Sequence, residues 1–334
     1  MAEAPAFWRE RGWRAWLLWP WSLLFALLAG VRRRWLRPQQ LPVPVIVVGN
    51  IAVGGSGKTP VVHWLVAVLK AAGWQPGVIS RGHGGEVSGV AEVPANADAA
   101  HFGDEPVLLK QLCVCPLVVG RDRVAAGREL LRLHPECDVI ISDDGLQHYR
   151  LGRDIELVVV DPATLGNRLL LPAGPLREPV RRLAQADVII AHGEFDTGDT
   201  GLNKATAGRP RFAMRLQGDT LQALADPQRQ RPLAELRAQR VHAVAGIGQP
   251  QRFFAQLAAA GLEVIPHPFA DHHRFRAQDL DFNPPAPILM TAKDAVKCHA
   301  FAPADSWVLP VVAQLDEAAA ACIVEKLLNG RPPA

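Results

Sequence analysis

Residues 45–70 read VIVVGNIAVGGSGKTPVVHWLVAVLK, and this stretch decides the fold. It opens with the apolar, β-branched run from Val45 to Val48, which is typical of a buried parallel strand. A glycine-rich turn follows at residues 49–57. From Pro60 onward the apolar residues recur at helical spacing, and the proline stands where a first helical turn tolerates one. The order strand, glycine loop, helix predicts a P-loop, a backbone cradle for phosphate groups.

The loop departs at one position from the pattern G-x-x-x-x-G-K-[ST]. Ala52 stands where the first glycine is usual, and Gly54 and Gly55 supply flexibility two residues later. We expect Lys58 to place a positive charge on the phosphates and Thr59 to bind Mg²⁺ through its hydroxyl. The expected nucleotide-binding residues are Ala52, Val53, Gly54, Gly55, Ser56, Gly57, Lys58 and Thr59. The alternative is a glycine turn with a purely structural role.

Length and charge distribution limit the class of protein. A chain of 334 residues is long enough for two domains, each with its own core. The net charge of +3 is uneven, because residues 1–37 carry seven arginines against Glu3 and Glu10. Since the basic character belongs to the N-terminus, no nucleic-acid partner is expected. The five cysteines are an odd number without zinc spacing, which favours reduced thiols in a cytoplasmic protein.

Residues 1–38 form a separate apolar and basic segment. Its uncharged stretch from Ala15 to Val31 has 17 residues. As a helix this stretch is about 26 Å long, slightly less than a hydrocarbon core of ~30 Å. Tryptophans and arginines flank it on both sides, so the positive-inside rule gives no orientation. We expect an amphipathic helix in the membrane interface, and a signal peptide or a helix of the protein's own core are the alternatives. The arginines expected to bind anionic lipid are Arg32, Arg33, Arg34 and Arg37.

Further apolar runs predict an α/β fold with a parallel sheet. These runs lie at residues 76–80, 116–119, 139–141 and 155–161. Each ends in polar or glycine residues, which places ligand chemistry at the carboxyl ends of the strands. The expected P-loop NTPase-like domain comprises residues 39–165 and about 286–334. A second, smaller α/β domain, residues 166–285, is expected to close over the active site.

The run DVIISDDGLQH, residues 138–148, carries a second nucleotide signal. An apolar strand that ends in carboxylates is typical of a Walker B element, in which an acidic side chain binds Mg²⁺. Asp143 and Asp144 both qualify. Adjacent residues of a strand point to opposite faces, so only one can readily face the metal, and the sequence leaves open which. A turn made by Asp-Asp-Gly is the alternative.

Nine motifs together resemble one family, the tetraacyldisaccharide 4′-kinases of lipid A biosynthesis. The motifs, between Val48 and Cys298, are VGNIAVGGSGKTP, SRGHGG, GDEP, VGRDR, DDGLQH, LLPAGPLREP, AGIGQPQRF, DHHRF and TAKDAVKC. DDGLQH and LLPAGPLREP are far more specific than the P-loop alone. Two positions depart from the family pattern: His83 replaces the more usual tyrosine, and Ala292 replaces an acidic residue.

The resemblance implies an enzyme that transfers the γ-phosphoryl group of ATP to a lipid A precursor. The acceptor would be the 4′-hydroxyl of a tetraacylated glucosamine disaccharide 1-phosphate, and the product lipid IVA. ATP and Mg²⁺ would be the cofactors. The expected location is the cytoplasmic face of the inner membrane, with the N-terminal helix as a peripheral or monotopic anchor on the lipid surface. No obligate protein partner is evident.

The resemblance also assigns roles to individual residues. Asp104 and His272, 168 positions apart, match the pair that takes the proton from the sugar hydroxyl, so their meeting implies closure of a cleft. A carboxylate beside an imidazole raises its basicity and fixes its tautomer. Lys58 and Asp144 complete the expected catalytic set. The expected metal ligands are Thr59, Asp143, Asp144 and Glu178, and the expected substrate contacts are Arg81, Arg121, Arg123, Gln147 and Arg177.

Two other classes of protein are alternatives. A membrane-docked P-loop ATPase switch would hydrolyse nucleotide without a lipid acceptor. A GTPase would need N-K-x-D for guanine recognition, and neither Asn203-Lys204 nor residues 291–294 match that pattern.

Overall fold

The computed structural model describes residues 5–196 and 198–330, which form two sheets with helices packed against them. The strands in chain order are β1 (Val45–Gly49), β2 (Pro76–Ser80), β3 (Val90–Glu92), β4 (Leu117–Gly120), β5 (Val139–Asp143), β6 (Ile155–Val160), β7 (Val188–His192), β8 (Arg211–Gln217), β9 (Thr220–Ala223), β10 (Gln230–Pro232), β11 (Arg240–Ala245), β12 (Glu263–Pro268), β13 (Ile288–Thr291), β14 (Ser306–Leu309) and β15 (Val312–Leu315). The α-helices are α1 (Trp13–Trp35), α2 (Lys58–Ala71), α3 (Ala99–Phe102), α4 (Asp104–Leu112), α5 (Arg123–Leu133), α6 (Thr200–Thr206), α7 (Pro250–Ala259), α8 (Ala292–Cys298) and α9 (Glu317–Leu328).

The larger sheet has nine strands in the order β15-β8-β7-β6-β1-β5-β2-β4-β3, and we call it and its helices the large lobe. The seven strands from β8 to β4 are parallel, and β15 and β3 pair antiparallel at the two edges. Every residue of β1, β2, β4 and β5 is buried, as expected for strands covered on both faces. Because Val48 of β1 lies beside Asp143 of β5, the P-loop and the acidic pair leave the sheet at the same edge.

The smaller sheet has six strands in the order β10-β9-β14-β13-β11-β12, and with its helices it forms the small lobe. The strands β14, β13, β11 and β12 are parallel, so their carboxyl ends share one edge. That edge faces the P-loop. A Cβ built on Gly248, in the loop after β11, would lie only 3.3 Å from the backbone nitrogen of Gly55. The two lobes therefore meet at the carboxyl ends of their parallel strands.

The sheets divide the chain differently from the expected domain limits. β7 and β8 lie within residues 166–285, expected in the second domain, but they belong to the larger sheet. β13 and β14 lie within residues 286–334, expected in the P-loop domain, but they belong to the smaller sheet. The small lobe is thus an insertion, residues 220–309, between β8 and β15. Both sheets are built from the same alternation of apolar strands and helices, so periodicity does not assign a strand to a sheet.

The helix α1 projects most of its apolar surface into solvent. Of its residues, only Ala15 and Ser22 are buried. It has 23 residues, and in the described part of the chain it is the one helix long and apolar enough to cross a membrane. This exposure excludes the alternative of a helix within the protein's own core. The large apolar side chains exposed on it are Trp13, Trp16, Leu17, Trp19, Trp21, Leu23, Leu24, Leu27, Leu28, Val31 and Trp35.

Its buried side is held by the proline-rich loop at residues 167–177, which also touches the P-loop. Ser22 Oγ donates a hydrogen bond to the carbonyl of Leu170 at 2.8 Å and accepts one from the amide of Ala173 at 3.1 Å. Further along the same loop, the carbonyl of Pro175 accepts a hydrogen bond from the amide of Val53 at 2.9 Å. The loop therefore joins α1 to the P-loop through hydrogen bonds to both.

Candidate active site

The P-loop connects β1 to α2, and its shape depends on glycine. Gly54 and Gly57 have φ values of 108° and 85°, in a region that residues with a Cβ rarely adopt. Asn50 secures the loop from inside, because its side-chain nitrogen lies 3.1 Å from Ser56 Oγ. Ala52, at the departure from the glycine pattern, is buried and forms an isolated antiparallel bridge with Leu176. This position is extended against a neighbouring segment and does not require glycine.

The two carboxylates that follow β5 face different partners. Asp143 is buried and accepts a hydrogen bond from Ser80 Oγ at 3.0 Å. Asp144 has a φ of 45°, so it leaves the strand conformation and turns toward the P-loop. Its carboxylate lies 3.5 Å from Lys58 Nζ and accepts hydrogen bonds from Arg177 Nη1 at 3.0 and 3.2 Å. Asp144 is thus the carboxylate paired with the P-loop lysine.

The surroundings of Asp143 and Asp144 shift the pKa values of the two carboxylates in opposite directions. Burial acts to raise the pKa of Asp144, but the charges of Lys58 and Arg177 outweigh burial and lower it. Burial, together with the charges of Glu105 and Asp144, raises the pKa of Asp143 to about 6. Asp144 is therefore the more firmly ionised of the pair near neutral pH.

Asp104 and His272 meet between the lobes. Asp104 is the first residue of α4 in the large lobe, and His272 lies in the small-lobe loop after β12 with a φ of 61°. His272 Nδ1 lies 3.0 and 2.9 Å from the two carboxylate oxygens of Asp104. Burial acts to raise the pKa of Asp104, but the hydrogen bond from His272 and the charge of Lys293 outweigh it, so the pKa is lowered. The carboxylate is held ionised beside the imidazole.

The position of His83 supports this pair from the side. The imidazoles of His83 and His272 have their centroids 5.5 Å apart in an edge-on arrangement. Gly103, just before Asp104, allows the backbone to approach, since a Cβ there would lie 2.5 Å from the carbonyl oxygen of His83. His83 replaces the tyrosine that is usual in the family, and it still places an aromatic ring against His272.

Lys293, at the start of α8, was not assigned a role from the sequence. Its Nζ lies 3.0 Å from Glu105 Oε1, 3.3 Å from Asp271 Oδ1 and 3.4 Å from His272 Nε2. Burial acts to lower the pKa of Lys293, but the charges of Glu105 and Asp271 outweigh it and raise the pKa. The one available signal was the motif TAKDAVKC at the end of a small-lobe strand. Ala292, the family departure beside it, packs against an apolar cluster.

Arg123 differs from its expected role as a substrate contact. It is 2% exposed, and its guanidinium donates to the carbonyls of Gly120 at 2.6 Å and Asp143 at 3.3 Å. Burial lowers its pKa to about 10. Arg123 therefore braces the ends of β4 and β5 from inside. Arg81 and Arg121, by contrast, are exposed, and Arg177 pairs with Asp144 as described above.

Glu178 also differs from its expected role, that of a metal ligand. Its carboxylate accepts hydrogen bonds from Gln147 Nε2 at 2.8 Å and from the hydroxyl of Tyr149, and it pairs with Arg182 Nε at 3.2 Å. Both oxygens are therefore engaged within the protein, which disfavours metal binding. The amide of Gln147, expected at the substrate, also donates to the carbonyl of Asn50 at 3.1 Å.

The described residues supply only part of a Mg²⁺ coordination shell, and the nucleotide would supply the rest. Among residues 5–196 and 198–330, no group of three or more His, Cys, Asp or Glu side chains is placed to hold a metal. A P-loop magnesium needs fewer protein ligands, because phosphate oxygens and waters complete its octahedron. The hydroxyl of Thr59, at the start of α2, and a carboxylate at the end of β5 are oxygen donors of the kind that Mg²⁺ prefers.

The fold and this site define a P-loop nucleotide-binding protein whose second α/β lobe lies over the phosphate loop. The model of the family described as tetraacyldisaccharide-1-P 4′-kinase, LpxK, matches residues 14–329. The chain belongs to this family of tetraacyldisaccharide 4′-kinases.

Individual relatives agree with this assignment. The tetraacyldisaccharide 4′-kinase of Azoarcus sp. (strain BH72) is 62% identical, and the match covers 100% of this chain and 98% of that protein. That of Aromatoleum aromaticum is 57% identical, with 99% of both chains covered. Among solved structures, the "apo" form of LpxK from Aquifex aeolicus in complex with ATP superposes with a TM-score of 0.77 at 29% identity. That match covers 94% of this chain and 99% of the other.

Proposed function

We propose that this protein is an ATP-dependent kinase for a lipid A precursor. It transfers the γ-phosphoryl group to the 4′-hydroxyl of a tetraacylated glucosamine disaccharide 1-phosphate, with Mg²⁺ as the metal. Family membership supports the reaction class. The observation that carries the proposal is the 2.9 Å contact between Asp104 and His272, because a proton-accepting pair serves an alcohol acceptor.

The position of this pair relative to the P-loop supports the same proposal. Asp271, the neighbour of His272, has its Oδ2 3.9 Å from the point that a Cβ on Gly248 would occupy. The same point is 3.3 Å from the backbone nitrogen of Gly55. The loop that carries His272 therefore lies close to the phosphate loop.

Each charged group has a place in phosphoryl transfer. The amides of the P-loop bind the phosphates, and Lys58 neutralises charge on the group being transferred. Thr59 and a carboxylate of Asp143 or Asp144 would hold Mg²⁺, which neutralises the β- and γ-phosphoryl oxygens when bound. Arg177 holds Asp144 in place.

The acceptor hydroxyl must lose its proton as its oxygen bonds to phosphorus and the bond to ADP breaks. The Asp104 carboxylate of the Asp104–His272 pair receives that proton, because His272 Nδ1 already carries one. His272 Nδ1 donates to Asp104, which orients the carboxylate and stabilises its charge before transfer. The side chains of Asp104 and His272 are 6% and 20% exposed, so the pair is largely shielded from water at the interface between the lobes.

We propose further that α1 places the protein on the cytoplasmic face of the inner membrane. Its tryptophans suit the headgroup region, and the exposed Arg32, Arg34 and Arg37 suit anionic lipid. An acylated acceptor resides in the bilayer, so a membrane-bound helix brings its headgroup to the P-loop edge.

Labelled ATP distinguishes the kinase from a membrane-docked ATPase switch. The purified protein in detergent is incubated with γ-labelled ATP and Mg²⁺, with and without the tetraacyldisaccharide 1-phosphate. Label on the lipid that requires the protein supports the kinase. Release of free phosphate at the same rate with or without the lipid, and no labelled lipid, would favour the switch. His272→Ala is the matched variant, with ATP binding near that of the unmodified protein and slow transfer.

A further inference from the structure

We propose that Lys293 is a positioning residue that holds the two halves of the Asp104–His272 pair together and fixes the imidazole tautomer. The inference rests on the proposed function, because it concerns the proton-accepting pair of that reaction. Lys293 itself belongs neither to the P-loop pattern nor to the Asp–His pair, so its role is not part of that function.

One ammonium group binds the chain neighbours of both members of the pair. Lys293 Nζ lies 3.0 Å from Glu105 Oε1, and Glu105 directly follows Asp104 on α4 of the large lobe. The same atom lies 3.3 Å from Asp271 Oδ1, and Asp271 directly precedes His272 in the small lobe. Lys293 and Asp271 are both less than a fifth exposed, so water screens their attraction only partly. The cation therefore sets the separation of the two elements that carry the pair.

Lys293 also contacts the imidazole itself. Its Nζ lies 3.4 Å from His272 Nε2, while His272 Nδ1 faces the Asp104 carboxylate at 2.9 and 3.0 Å. An ammonium offers only donors, so Nε2 must present its lone pair to it. Nδ1 then carries the proton and donates to Asp104.

The other charged and titratable groups around the imidazole do not provide this arrangement. Asp271 Oδ2 lies 3.8 Å from Nε2, but it is also the partner of Lys293. His83 contacts the ring edge-on. Lys297, one turn further along α8, lies 4.0 Å from Asp104 but 2.8 Å from Asp294.

Lys297 and Asp294 belong to a network within the small lobe. Asp294 accepts hydrogen bonds from the amide of Gly246 at 2.9 Å and from Thr291 Oγ1 at 2.7 Å, and both residues are in the small lobe. Of the two lysines of α8, Lys293 is the one hydrogen-bonded to a residue of the large lobe. The two lysines thus differ: Lys293 hydrogen-bonds across the lobes, whereas Lys297 hydrogen-bonds within the small lobe and approaches Asp104 only at 4.0 Å.

Steady-state kinetics on the full chain give the first test. Lys293→Gln is expected to lower kcat by about 100-fold, as displacement of catalytic groups does. The KM for ATP should stay within about twofold, because the polar contacts of Lys293 are with Glu105, Asp271 and His272, outside the P-loop. Lys293→Arg keeps the charge and should recover part of the kcat. The exposed Lys204, substituted by Gln, is the control for loss of one positive charge and should leave kcat unchanged.

Nitrogen-15 NMR of the histidine side chains gives the second test, independent of turnover. His272→Gln identifies the His272 signals. In the unmodified protein at neutral pH these should show the Nδ1–H tautomer, and in Lys293→Gln they should show a mixture of the two tautomers. An unchanged kcat, or an unchanged His272 spectrum, in Lys293→Gln overturns the proposal.

The two proposals can fail separately. If the unmodified protein puts no label on the lipid, the proposed function fails, while the His272 spectra still decide the tautomer claim. If Lys293→Gln does not fold, Glu105→Gln removes the large-lobe partner and leaves the lysine in place. That variant should also lower kcat without changing the KM for ATP, and a normal kcat would overturn the positioning role.

Discussion

Arg252 donates two hydrogen bonds to Asp161, at 2.6 and 2.9 Å, and so joins α7 of the small lobe to the end of β6 in the large lobe. Asp161 is 1% exposed, so its carboxylate depends on this guanidinium for charge compensation. His192, at the end of β7, also lies 2.8 Å from Arg252 Nη1. The two lobes are therefore joined at a second point besides the Asp104–His272 pair, and the geometry is the bidentate one that fixes orientation best.

Removal of Arg252 should loosen this joint. Arg252→Met leaves a buried carboxylate without its cationic partner and is expected to lower the free energy of unfolding by about 1–3 kcal/mol. Arg240→Met is the control, because Arg240 and Glu263 form an exposed pair at 3.9 Å, of the kind worth about 0–1 kcal/mol. Thermal unfolding in detergent compares the two. Equal losses would show that the buried pair contributes no more than the surface pair.

Lys58→Ala should reduce kcat by about 100-fold or more without unfolding the protein. Lys58 is a partner of Asp144 at 3.5 Å, and its charge is placed where negative charge accumulates on the transferred group. Because Arg177 still pairs with Asp144, the fold should be retained, which circular dichroism checks. A kcat within a few-fold of normal would mean that the nucleotide lies elsewhere.

The dependence of the rate on Mg²⁺ should distinguish Asp144, an expected metal ligand, from Glu178. Asp144→Asn should shift the Mg²⁺ concentration that gives half-maximal rate upward, since a carboxylate at the end of β5 is lost. Glu178→Gln should leave that concentration unchanged even if the rate falls, because Glu178 is engaged by Gln147, Tyr149 and Arg182. The measurement is kcat against free Mg²⁺ at saturating ATP. An increase of that Mg²⁺ concentration in Glu178→Gln would instead support Glu178 as a metal ligand.

Anionic vesicles should bind the protein through the basic end of α1. The variant replaces Arg32, Arg34 and Arg37 by Gln. It should weaken binding by about 1 kcal/mol for each arginine, most at low salt. The charge-matched control replaces three arginines in exposed ion pairs, Arg132, Arg215 and Arg240. If both variants bind equally well in vesicle flotation, the anchor lies outside this basic segment.

His267 should make the small lobe sensitive to acid. It lies 2.9 Å from His242, and burial, followed by the charge of His242, lowers its pKa below the usual ~6.5. With the folded pKa depressed, the unfolded state binds more protons as pH falls below about 6.5, so stability is present above that pH and decreases below it. His267→Gln removes this linkage and should flatten the change in unfolding midpoint between pH 7 and pH 5. An unchanged slope would exclude His267 as a cause.

Local structure could be predicted where the sequence pattern itself determines it. The apolar runs predicted β2 and β5 closely, because strands buried on both faces need continuous apolar residues. The glycine loop between β1 and α2 followed from positions that require positive φ. The meeting of Asp104 and His272 was expected from family motifs alone, since no local pattern relates residues 168 positions apart.

Other features depend on tertiary packing that periodicity does not encode. The direction of the Asp144 side chain follows from a φ of 45°, which broke the alternation assumed for a strand. The burial of Arg123 under the Asp143 carbonyl could not be separated from an exposed, substrate-facing arginine by residue type. Lys293 contacts carboxylates on two different lobes, so its motif marked the segment but could not indicate the role of the lysine.

The hydrogen bonds that join α1, the loop at residues 167–177 and the P-loop have a geometrical consequence. With α1 in the lipid, as proposed, these bonds fix the height of the P-loop above the bilayer. The enzyme would then select acceptors by the distance between the sugar and the membrane. A sugar that projects too far from the membrane, or too little, would miss the γ-phosphate even if its chemistry were correct.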